Sequence, residues 1–523
     1  MKKLNSLTWI LPVSLGLGSL LSLLDGGVWW IGWLAYTLLL ALVLLALTSL
    51  WRASGSHRGL LVILLLAFFL RVGSGVFFSR VLPPYGNDSE THNAGYIFRD
   101  ASTYDRQAWE LAASGDSLWK TFDRSYGIEE QYGGLTLLVS ALYRLLSPDL
   151  HRPWLIMLVT AWAGAAACGY AWRAGRRVWG EKAGWIVGWI LALYPEAILA
   201  GASPIREPFV ILILAAQFSA LTRWLEDQRK AALIGVAACF LVLLLFSPGF
   251  AVLNLFFLMI WLLLIQKDIR IHWGWLLAGA GLGILSILLL GWLVSGTLAV
   301  PAGPIANLVD WLRYSAMYEA YQTELNSGWI QTIFKRLPGW THLPFITAYG
   351  VMQPVLPAAI ADPAVWPARL LGILRGLGWY GLLPLLAYSL YPILKTRPKR
   401  NRSAWLWIWS MTWVWILLCS FRAGGDQWDN PRYRLMMLLF QAGLAAHALV
   451  WARQQHDRWL GRTLAVEGVL IIGLTTWYIS RYDAAPYIFP FERTMLFTLT
   501  IGALILLTGV IRDLRMKRQS HKD

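Results

Sequence analysis

The amino-acid sequence predicts an all-α protein that crosses a membrane about 14 times. Of its 523 residues, 57% are hydrophobic and only 14% are charged, whereas soluble domains carry about 25% charged residues. Apolar runs of about 17–25 residues recur from end to end, and each is long enough to cross about 30 Å of hydrocarbon. The basic residues fall in short clusters between these runs, as the positive-inside rule describes. We therefore interpret residues 1–523 as one polytopic transmembrane domain.

Fourteen apolar segments are the predicted spans: 7–24, 28–50, 59–78, 153–172, 183–198, 207–224, 231–247, 249–266, 273–298, 372–394, 403–421, 435–452, 462–480 and 494–512. The stretch 131–147 is apolar but short, which predicts an interfacial or half-inserted helix. The opening Met1-Lys2-Lys3 before an apolar run resembles a signal peptide. It lacks an A-x-A cleavage site and a second span follows at once, which favours an uncleaved first helix.

The distribution of charge predicts the topology. An even number of spans places both termini on one side, and 26 of the 45 Lys and Arg residues then fall on the cytoplasmic side. Most of the others lie in two long external segments, about 79–130 and about 299–371. We expect these segments to form juxtamembrane helices and ordered loops over a cavity. The predicted location is the plasma (inner) membrane, with both termini cytoplasmic.

Several classes of site and partner find no support in the sequence. No Walker A, Cys-x-x-Cys, His-Glu-x-x-His or Gly-x-Ser-x-Gly motif is present. The three cysteines lie inside apolar runs, so neither a disulfide nor a thiolate metal site is expected. The net charge of +16 follows the membrane topology and therefore does not indicate a nucleic-acid partner. The external histidines are scattered and are not expected to bind metal: His92, His151 and His342.

Two acidic clusters lie where apolar spans meet the outer face. Asp100-Ala101-Ser102-Thr103-Tyr104-Asp105 begins a polar stretch after the third span, and Pro204-Ile205-Arg206-Glu207-Pro208 caps a later one. Ionisable groups at membrane depth cost about 2.5–3.5 kcal/mol each on insertion scales, so they are functional candidates by default. We expect the two clusters to converge in an active site open to both lipid and water.

Asp100 is the predicted general base, which would take a proton from an attacking acceptor group. The alternative is that Asp100 or Asp105 caps a helix starting near Tyr104. Catalysis is the favoured interpretation for Asp100, and capping is favoured for Asp105.

Glu207 either binds a divalent cation together with Asp100 or pairs with a basic residue. A hard cation held by carboxylate oxygens would neutralise a phosphate leaving group. The alternative is an Arg206–Glu207 surface pair at the start of a helix. Glu196, which follows Pro195, is interpreted as an interfacial residue at the end of a span.

Some basic residues lie in short outer links, against the positive-inside bias: Arg206, Arg422, Arg432, Arg434, Arg481 and Arg493. Such cations need either an anionic ligand or lipid headgroups to which they snorkel. The planar fork of arginine suits phosphate. Because helix positions two apart do not share a face, we expect one of Arg432 and Arg434 to contact the ligand and the other to meet Asp426 or Asp429. An interfacial salt network is the alternative.

The run from Asp100 through Tyr104 to Leu111 resembles the first external loop of the GT-C glycosyltransferases, in the branch similar to protein O-mannosyltransferases and lipid A aminoarabinose transferases. Other segments match the family in order: the short helix 131–147, Arg176-Arg177-Val178-Trp179-Gly180, Tyr194-Pro195-Glu196, Ser203 to Pro208, and Asn430-Pro431-Arg432-Tyr433-Arg434-Leu435. The resemblance is closest over residues 59–225. Two features depart from it: the spans 7–24 and 28–50 precede the usual first helix, and Glu129-Glu130-Gln131-Tyr132 replaces the Lys-Pro-Pro entry of the aminoarabinose branch.

The resemblance implies an inverting enzyme that transfers a sugar from a polyprenyl-phosphate carrier to a glycan, lipid or protein acceptor, among membrane lipids on the extracytoplasmic face. It implies catalytic roles for Asp100 and Glu207, with a divalent metal cation between them as the one cofactor left open. The substrate-binding residues that it implies are Tyr104, Arg206, Arg432, Tyr433 and Arg434.

Two alternative functions stay open. An O-antigen-ligase- or polymerase-like enzyme would use paired arginines without a carboxylate base. A transporter or flippase of lipid-linked anionic substrates usually places its charges near the bilayer midplane on broken helices. Here the notable charges lie at outer span ends, which favours chemistry at the interface.

Overall fold

The computed structural model describes residues 7–123, 130, 132–265, 338–423, 430–482 and 489–519, with isolated positions at 281, 288, 306, 335 and 336. Over these residues the chain forms α-helices and short 3-10 segments, without a strand. The predicted all-α class is therefore confirmed. Eleven helices in the described part are long and apolar enough to cross a membrane, or twelve if one bent pair is a single span. Helices of this number, length and hydropathy identify a membrane-spanning protein.

The helices before the first large gap are α1 (Leu7–Asp25), α2 (Trp29–Ala53), α3 (Arg58–Tyr85), α4 (Glu90–Asn93), α5 (Arg99–Ala113), α6 (Gly134–Leu146), α7 (Pro153–Trp179), α8 (Glu181–Leu193), α9 (Pro195–Gly201), α10 (Glu207–Asp227), α11 (Lys230–Phe246) and α12 (Pro248–Ile265). Those after it are α13 (His342–Met352), α14 (Leu356–Ala361), α15 (Trp366–Tyr388), α16 (Leu390–Lys395), α17 (Lys399–Ala423), α18 (Leu438–Gln454), α19 (Trp459–Tyr482) and α20 (Phe491–Gln519). The described 3-10 segments are Leu118–Phe122, Gly339–Thr341 and Asn430–Met437.

Eleven of the fourteen predicted spans coincide with full-length apolar helices. Segment 183–198 is instead the pair α8 and α9, bent by 56° at Tyr194-Pro195. Segment 231–247 corresponds to α11, which is apolar but has only 17 residues. Segment 273–298, apart from isolated positions, and about half of the predicted loop 299–371 lie outside the described residues; the described half, 338–371, contains α13, α14 and the start of α15.

The first long external segment contains more helix than was predicted. Helix α3 continues to Tyr85 instead of ending at 78, because the apolar residues Phe78 and Leu82 are buried against neighbouring helices. The predicted juxtamembrane helix starts at Arg99, five residues before Tyr104. Asp100 therefore lies in its first turn, and Asp105 lies in its interior.

The break between α8 and α9 is stabilised by a buried arginine from α3. Pro195 has no N–H group, so the carbonyl of Leu191 has no helical partner. Arg71 donates from Nη2 to this carbonyl at 2.8 Å and from Nη1 to that of Ala192 at 3.4 Å. Bending the chain here turns α9 toward the link that precedes Glu207.

Two glycines leave room for the Arg71 side chain. A Cβ atom at Gly164 would overlap Arg71 Nε, and one at Gly201 would overlap Arg71 Cδ. We expect Gly164→Ala to lower stability by about 1–3 kcal/mol, because the added methyl group overpacks the interior. Thermal unfolding of the purified protein in detergent measures this. The matched control is Gly73→Ala on α3, where nothing lies within 4 Å; equal unfolding temperatures for the two variants would contradict the prediction.

Helices α1 and α2 form a hairpin that is attached to the rest of the bundle near the start of α7. Arg152 forms a two-pronged ion pair with Asp149, at 2.5 and 2.8 Å, and lies 3.9 Å from Asp25 at the end of α1. Asp25 accepts a hydrogen bond from Tyr36 of α2 at 2.5 Å. The two N-terminal helices are thus joined to the rest of the bundle by partly buried polar contacts.

Candidate functional site

One buried arginine joins the two acidic clusters. Arg432 lies in the 3-10 segment before α18, Asp100 in the first turn of α5, and Glu207 at the start of α10. Arg432 donates from Nε to Glu207 Oε1 at 3.0 Å and from Nη2 to Asp100 Oδ2. Three residues that are far apart in the sequence therefore lie in contact, and the two acidic clusters converge as expected. We call these three residues the Arg432 triad.

The members of the triad differ in their access to solvent. The Arg432 and Glu207 side chains are 2% and 1% exposed, whereas that of Asp100 is 34% exposed. The surface-pair interpretation of Glu207 is therefore wrong, because this carboxylate is buried and its ion pair is with Arg432. Within the described part of the chain, Glu207 Oε2 is buried without a hydrogen-bond partner. A buried acceptor of this kind is costly unless a ligand supplies a donor.

Arg206 lies beside the triad, against aromatic rings. Its guanidinium lies 5.1 Å from the ring centre of Tyr132 and 5.9 Å from that of Tyr433. Burial lowers the pKa of Arg206, and the neighbouring Glu207 carboxylate and phenols more than offset this, so that its pKa lies above the ordinary value. The group stays cationic next to the carboxylates and is suited to an anion.

Two tyrosines complete this surface. The Tyr433 ring lies under both arginines, with Arg432 at 5.1 Å from its centre. Burial, and then the charge of Asp100, raise the pKa of Tyr104 above its ordinary value. The Tyr104 phenol is therefore protonated at neutral pH.

Glu130 is a further carboxylate near the triad and is buried; the sequence analysis noted it only as a departure from the family pattern. Its Oε2 accepts hydrogen bonds from the Thr136 N–H and hydroxyl groups, both at 3.2 Å. Burial raises the pKa of Glu130, and the positive charge of Arg206 partly opposes this. Its neighbours Glu129 and Gln131 lie outside the described residues.

Arg434 is held by the protein backbone. It donates to the carbonyls of Pro431 at 3.1 Å, Val351 at 3.3 Å and Gln353, and it lies 3.8 Å from the ring centre of Trp379. These contacts tie the segment before α18 to the end of α13. Arg432 and Arg434 face different partners, as their spacing predicted. The alternative partners Asp426 and Asp429 lie outside the described residues.

A second buried ion pair lies next to the triad. Glu196 at the start of α9 pairs with Arg375 of α15 at 3.3 Å, and both side chains are buried. The Phe98 ring separates the two sites, with Arg375 at 5.4 Å and Arg432 at 5.2 Å from its centre. Glu196 lies at the end of a predicted span, but its buried pairing with Arg375 was not predicted. The overlooked signal was Arg375, a cation inside a predicted span, which is a functional candidate by default.

Asp105 does not cap a helix. It is fully buried in the middle of α5, where it accepts hydrogen bonds from Tyr96 and Tyr143 and lies 2.9 Å from His151 Nε2. Trp109 stacks on the His151 ring at 5.4 Å between centres. Asp105 thus joins α5 to α6 and to the start of α7, and this holds the helix that carries Asp100.

We expect Asp105→Leu to destabilise the fold by about 2–5 kcal/mol, because buried phenols lose their acceptor. Thermal unfolding in detergent measures the loss. Tyr143→Phe removes one of these bonds and should cost about 1–3 kcal/mol. The control is Tyr85→Phe, at a half-exposed ring that no hydrogen bond of the described residues engages. Equal stability of the Asp105 variant and wild type would refute the structural role.

At the predicted metal site, the guanidinium group of an arginine joins the two carboxylates. Among the described residues, no group of three or more His, Cys, Asp and Glu side chains is placed to hold a metal ion. The Arg432 guanidinium lies between Asp100 and Glu207, so a cation bound there would have to displace it. These residues therefore do not fit a divalent ion in the conformation observed, and the positive charge between the two carboxylates is that of arginine.

Known proteins give little further information about this site. No protein-family model matches the chain, and no curated protein matches it. Among solved structures, the chain is similar to the oligosaccharyltransferase of Archaeoglobus fulgidus, crystallised with Zn and sulfate, at 14% identity and a TM-score of 0.42. The match takes in 81% of this chain and 52% of the archaeal one, so this chain spans about half of that protein's length. A likeness at this level does not assign a family.

Proposed function

We propose that this chain is a membrane glycosyltransferase of the GT-C kind, which transfers a sugar from a polyprenyl-phosphate carrier to an acceptor at the extracytoplasmic face. The observation that carries the proposal is the buried Arg432 between Asp100 and Glu207. The planar fork of arginine suits phosphate oxygens as well as carboxylates, and the partly exposed Asp100 carboxylate lies beside Arg432 as a candidate base. The motif resemblance around these three residues supports the same assignment.

Asp100 acts as the general base in this proposal. Its side chain is 34% exposed, so an acceptor hydroxyl can reach it. Asp100 takes the hydroxyl proton while the acceptor oxygen forms a bond to the anomeric carbon. The bond from that carbon to the carrier phosphate breaks, and the phosphate leaves with the electron pair. A single displacement of this kind inverts the anomeric centre.

The arginines stabilise the departing phosphate. Arg432 and Arg206 supply positive charge in a buried site, where electrostatic stabilisation is strong. When the carrier phosphate binds, it competes with Asp100 for Arg432 and so releases the carboxylate for proton transfer. Glu207 holds Nε of Arg432 and orients the guanidinium. Tyr104 and Tyr433 line the sugar side of this surface. No step requires a metal ion.

One observation favours the transporter alternative. The Glu196–Arg375 pair lies at the break between α8 and α9, and broken helices with buried charges are typical of transporter substrate sites. The triad lies at helix starts instead, with one member open to solvent, which favours chemistry at the membrane surface.

The test is a transfer assay with purified protein in proteoliposomes. Radiolabelled sugars on polyprenyl phosphate, and oligosaccharides on polyprenyl diphosphate, are supplied with glycan, lipid and protein acceptors. The proposal expects release of polyprenyl phosphate together with a labelled acceptor. Turnover of the diphosphate donors alone would favour the ligase-like alternative. Movement of an intact donor across the bilayer, without carrier release, would favour the transporter.

A further inference from the structure

A cavity of about 720 Å³ lies at the end of the bundle opposite the Arg432 triad. It is bounded by the C-terminal ends of α2, α7 and α10 and by the start of α11. Helix α10 connects the two sites, since it runs over 21 residues from Glu207 to Asp227. At 1.5 Å per residue, the cavity residues Arg223 and Glu226 lie about 24–28 Å along α10 from Glu207, which is close to the thickness of the hydrocarbon core. This cavity plays no part in the transfer reaction proposed above.

The mouth of the cavity is strongly basic. Its lining contains five arginines and two glutamates: Arg173, Arg176, Arg177, Arg223, Arg229, Glu181 and Glu226. The arginines come from the ends of three helices and converge on one space. Asp227 lies outside the lining and pairs with Arg223 and Arg229. The arginines still outnumber the carboxylates when Asp227 is counted.

Several of these arginines are already oriented by the protein. Arg177 Nε lies 2.8 Å from Glu226 Oε2, and its Nη1 donates to the Ser219 carbonyl at 3.1 Å. Arg173 Nε donates to the Ser54 hydroxyl at 2.8 Å. Side chains fixed in this way lose less entropy when they bind an anion. Arg176 Nε likewise lies 2.6 Å from Glu181 Oε2. The arginines are therefore held in place by hydrogen bonds and ion pairs and are not a set of independent surface charges.

The inner wall of the cavity is apolar and built from small residues. Ala216 and Ala220 of α10 face Ala232 and Gly235 of α11, and Tyr170 of α7 lies beside them. None of these five is fully buried, so the wall is open at a depth where the helices are apolar. A soluble phosphate compound would gain nothing from such a wall, whereas hydrocarbon chains would be buried against it.

We propose that this cavity binds an anionic membrane phospholipid, with the phosphate among the arginines and the acyl chains along the wall of small residues. Basic pockets between transmembrane helices are suited to phospholipid headgroups, and 720 Å³ lies within the range of small-molecule sites. The bound lipid would lie in the leaflet opposite the triad and would stabilise the contact of α10 and α11 with α7. The inference does not depend on the proposed transferase activity.

The experiment measures lipid binding to the delipidated full-length chain by native mass spectrometry. Dioctanoyl phosphatidylglycerol is compared with dioctanoyl phosphatidylcholine and with sn-glycerol 3-phosphate, which carries the phosphate without acyl chains. We expect wild-type protein to bind the anionic lipid at least about tenfold more tightly than either. The double variant Arg177→Gln/Arg223→Gln should lose about tenfold or more in affinity for it, since each arginine near the surface contributes about fivefold.

The matched control is Lys182→Gln/Arg58→Gln, which removes the same charge at the same end of the bundle from residues that do not line the cavity. Its affinity should change less than about twofold, because neither of these side chains lines the cavity. Arg229→Gln provides a second test if the double variant misfolds, because the Arg229 side chain is 69% exposed; it should weaken binding by about fivefold. Equal losses in test and control variants would overturn the proposal. Equal binding of glycerol 3-phosphate and the lipid would also overturn it, in favour of a soluble phosphate ligand.

Discussion

Replacing Asp100 with Asn should lower the turnover number by about 10²–10⁴-fold, because the amide cannot take a proton from the acceptor. The fold should survive, since this side chain is partly exposed and Arg432 keeps its bond to Glu207. The amide oxygen can still accept a hydrogen bond from Arg432, so donor binding should change much less than turnover. Steady-state transfer assays that separate kcat from KM measure both effects.

Glu90→Gln is the control for this experiment, because it neutralises a highly exposed carboxylate in the same external segment. It should leave both kinetic constants unchanged. Full activity of Asp100→Asn would remove Asp100 as the base. Glu130→Gln then becomes the deciding variant, because Glu130 is another buried carboxylate on which the charge of Arg206 acts. Loss of turnover there, with Asp100→Asn active, would transfer the role to Glu130.

The spans could be predicted because hydrocarbon thickness fixes their length, and most predicted boundaries lie within a few residues of the observed helices. The break at Tyr194-Pro195 was harder to predict from the sequence. Proline indicates a kink, but the stabilising partner of the bend is Arg71, more than a hundred residues away in the sequence. A cation within a span signals that it has a partner without saying which one.

The site could be predicted to the same extent: the charged residues could be singled out from the sequence, but their partners could not. The cost of charge at membrane depth singled out Asp100, Glu207 and Arg432, and the structure joins them. The same rule did not distinguish Arg432 from Arg434, because both are equally basic and only the packing of the 3-10 segment decides which one faces the carboxylates. Asp105 was misread because its role depends on where the helix starts. A start near Tyr104 would make it a cap, whereas the start at Arg99 places it in the interior.

Arg432→Gln should abolish transfer and also destabilise the protein, and the two losses can be separated. Removing one partner of a buried ion pair costs about 3–5 kcal/mol, because Glu207 is left as an unpaired buried charge. Adding Glu207→Gln removes that charge, so the double variant should regain most of the lost stability. Turnover should stay at least about 100-fold below wild type in both variants, because neither supplies the charge that stabilises the leaving phosphate.

Arg432→Lys and Arg434→Gln complete this series. Lysine keeps the charge but cannot contact both carboxylates with a planar fork, so activity should be intermediate. Arg434→Gln removes backbone contacts and should lower the unfolding temperature, while the folded fraction keeps its turnover number. Thermal unfolding and transfer assays on the same preparations measure both quantities. If Arg432→Gln/Glu207→Gln regained activity together with stability, Arg432 would only neutralise Glu207, and the phosphate-binding role assigned to it would be wrong.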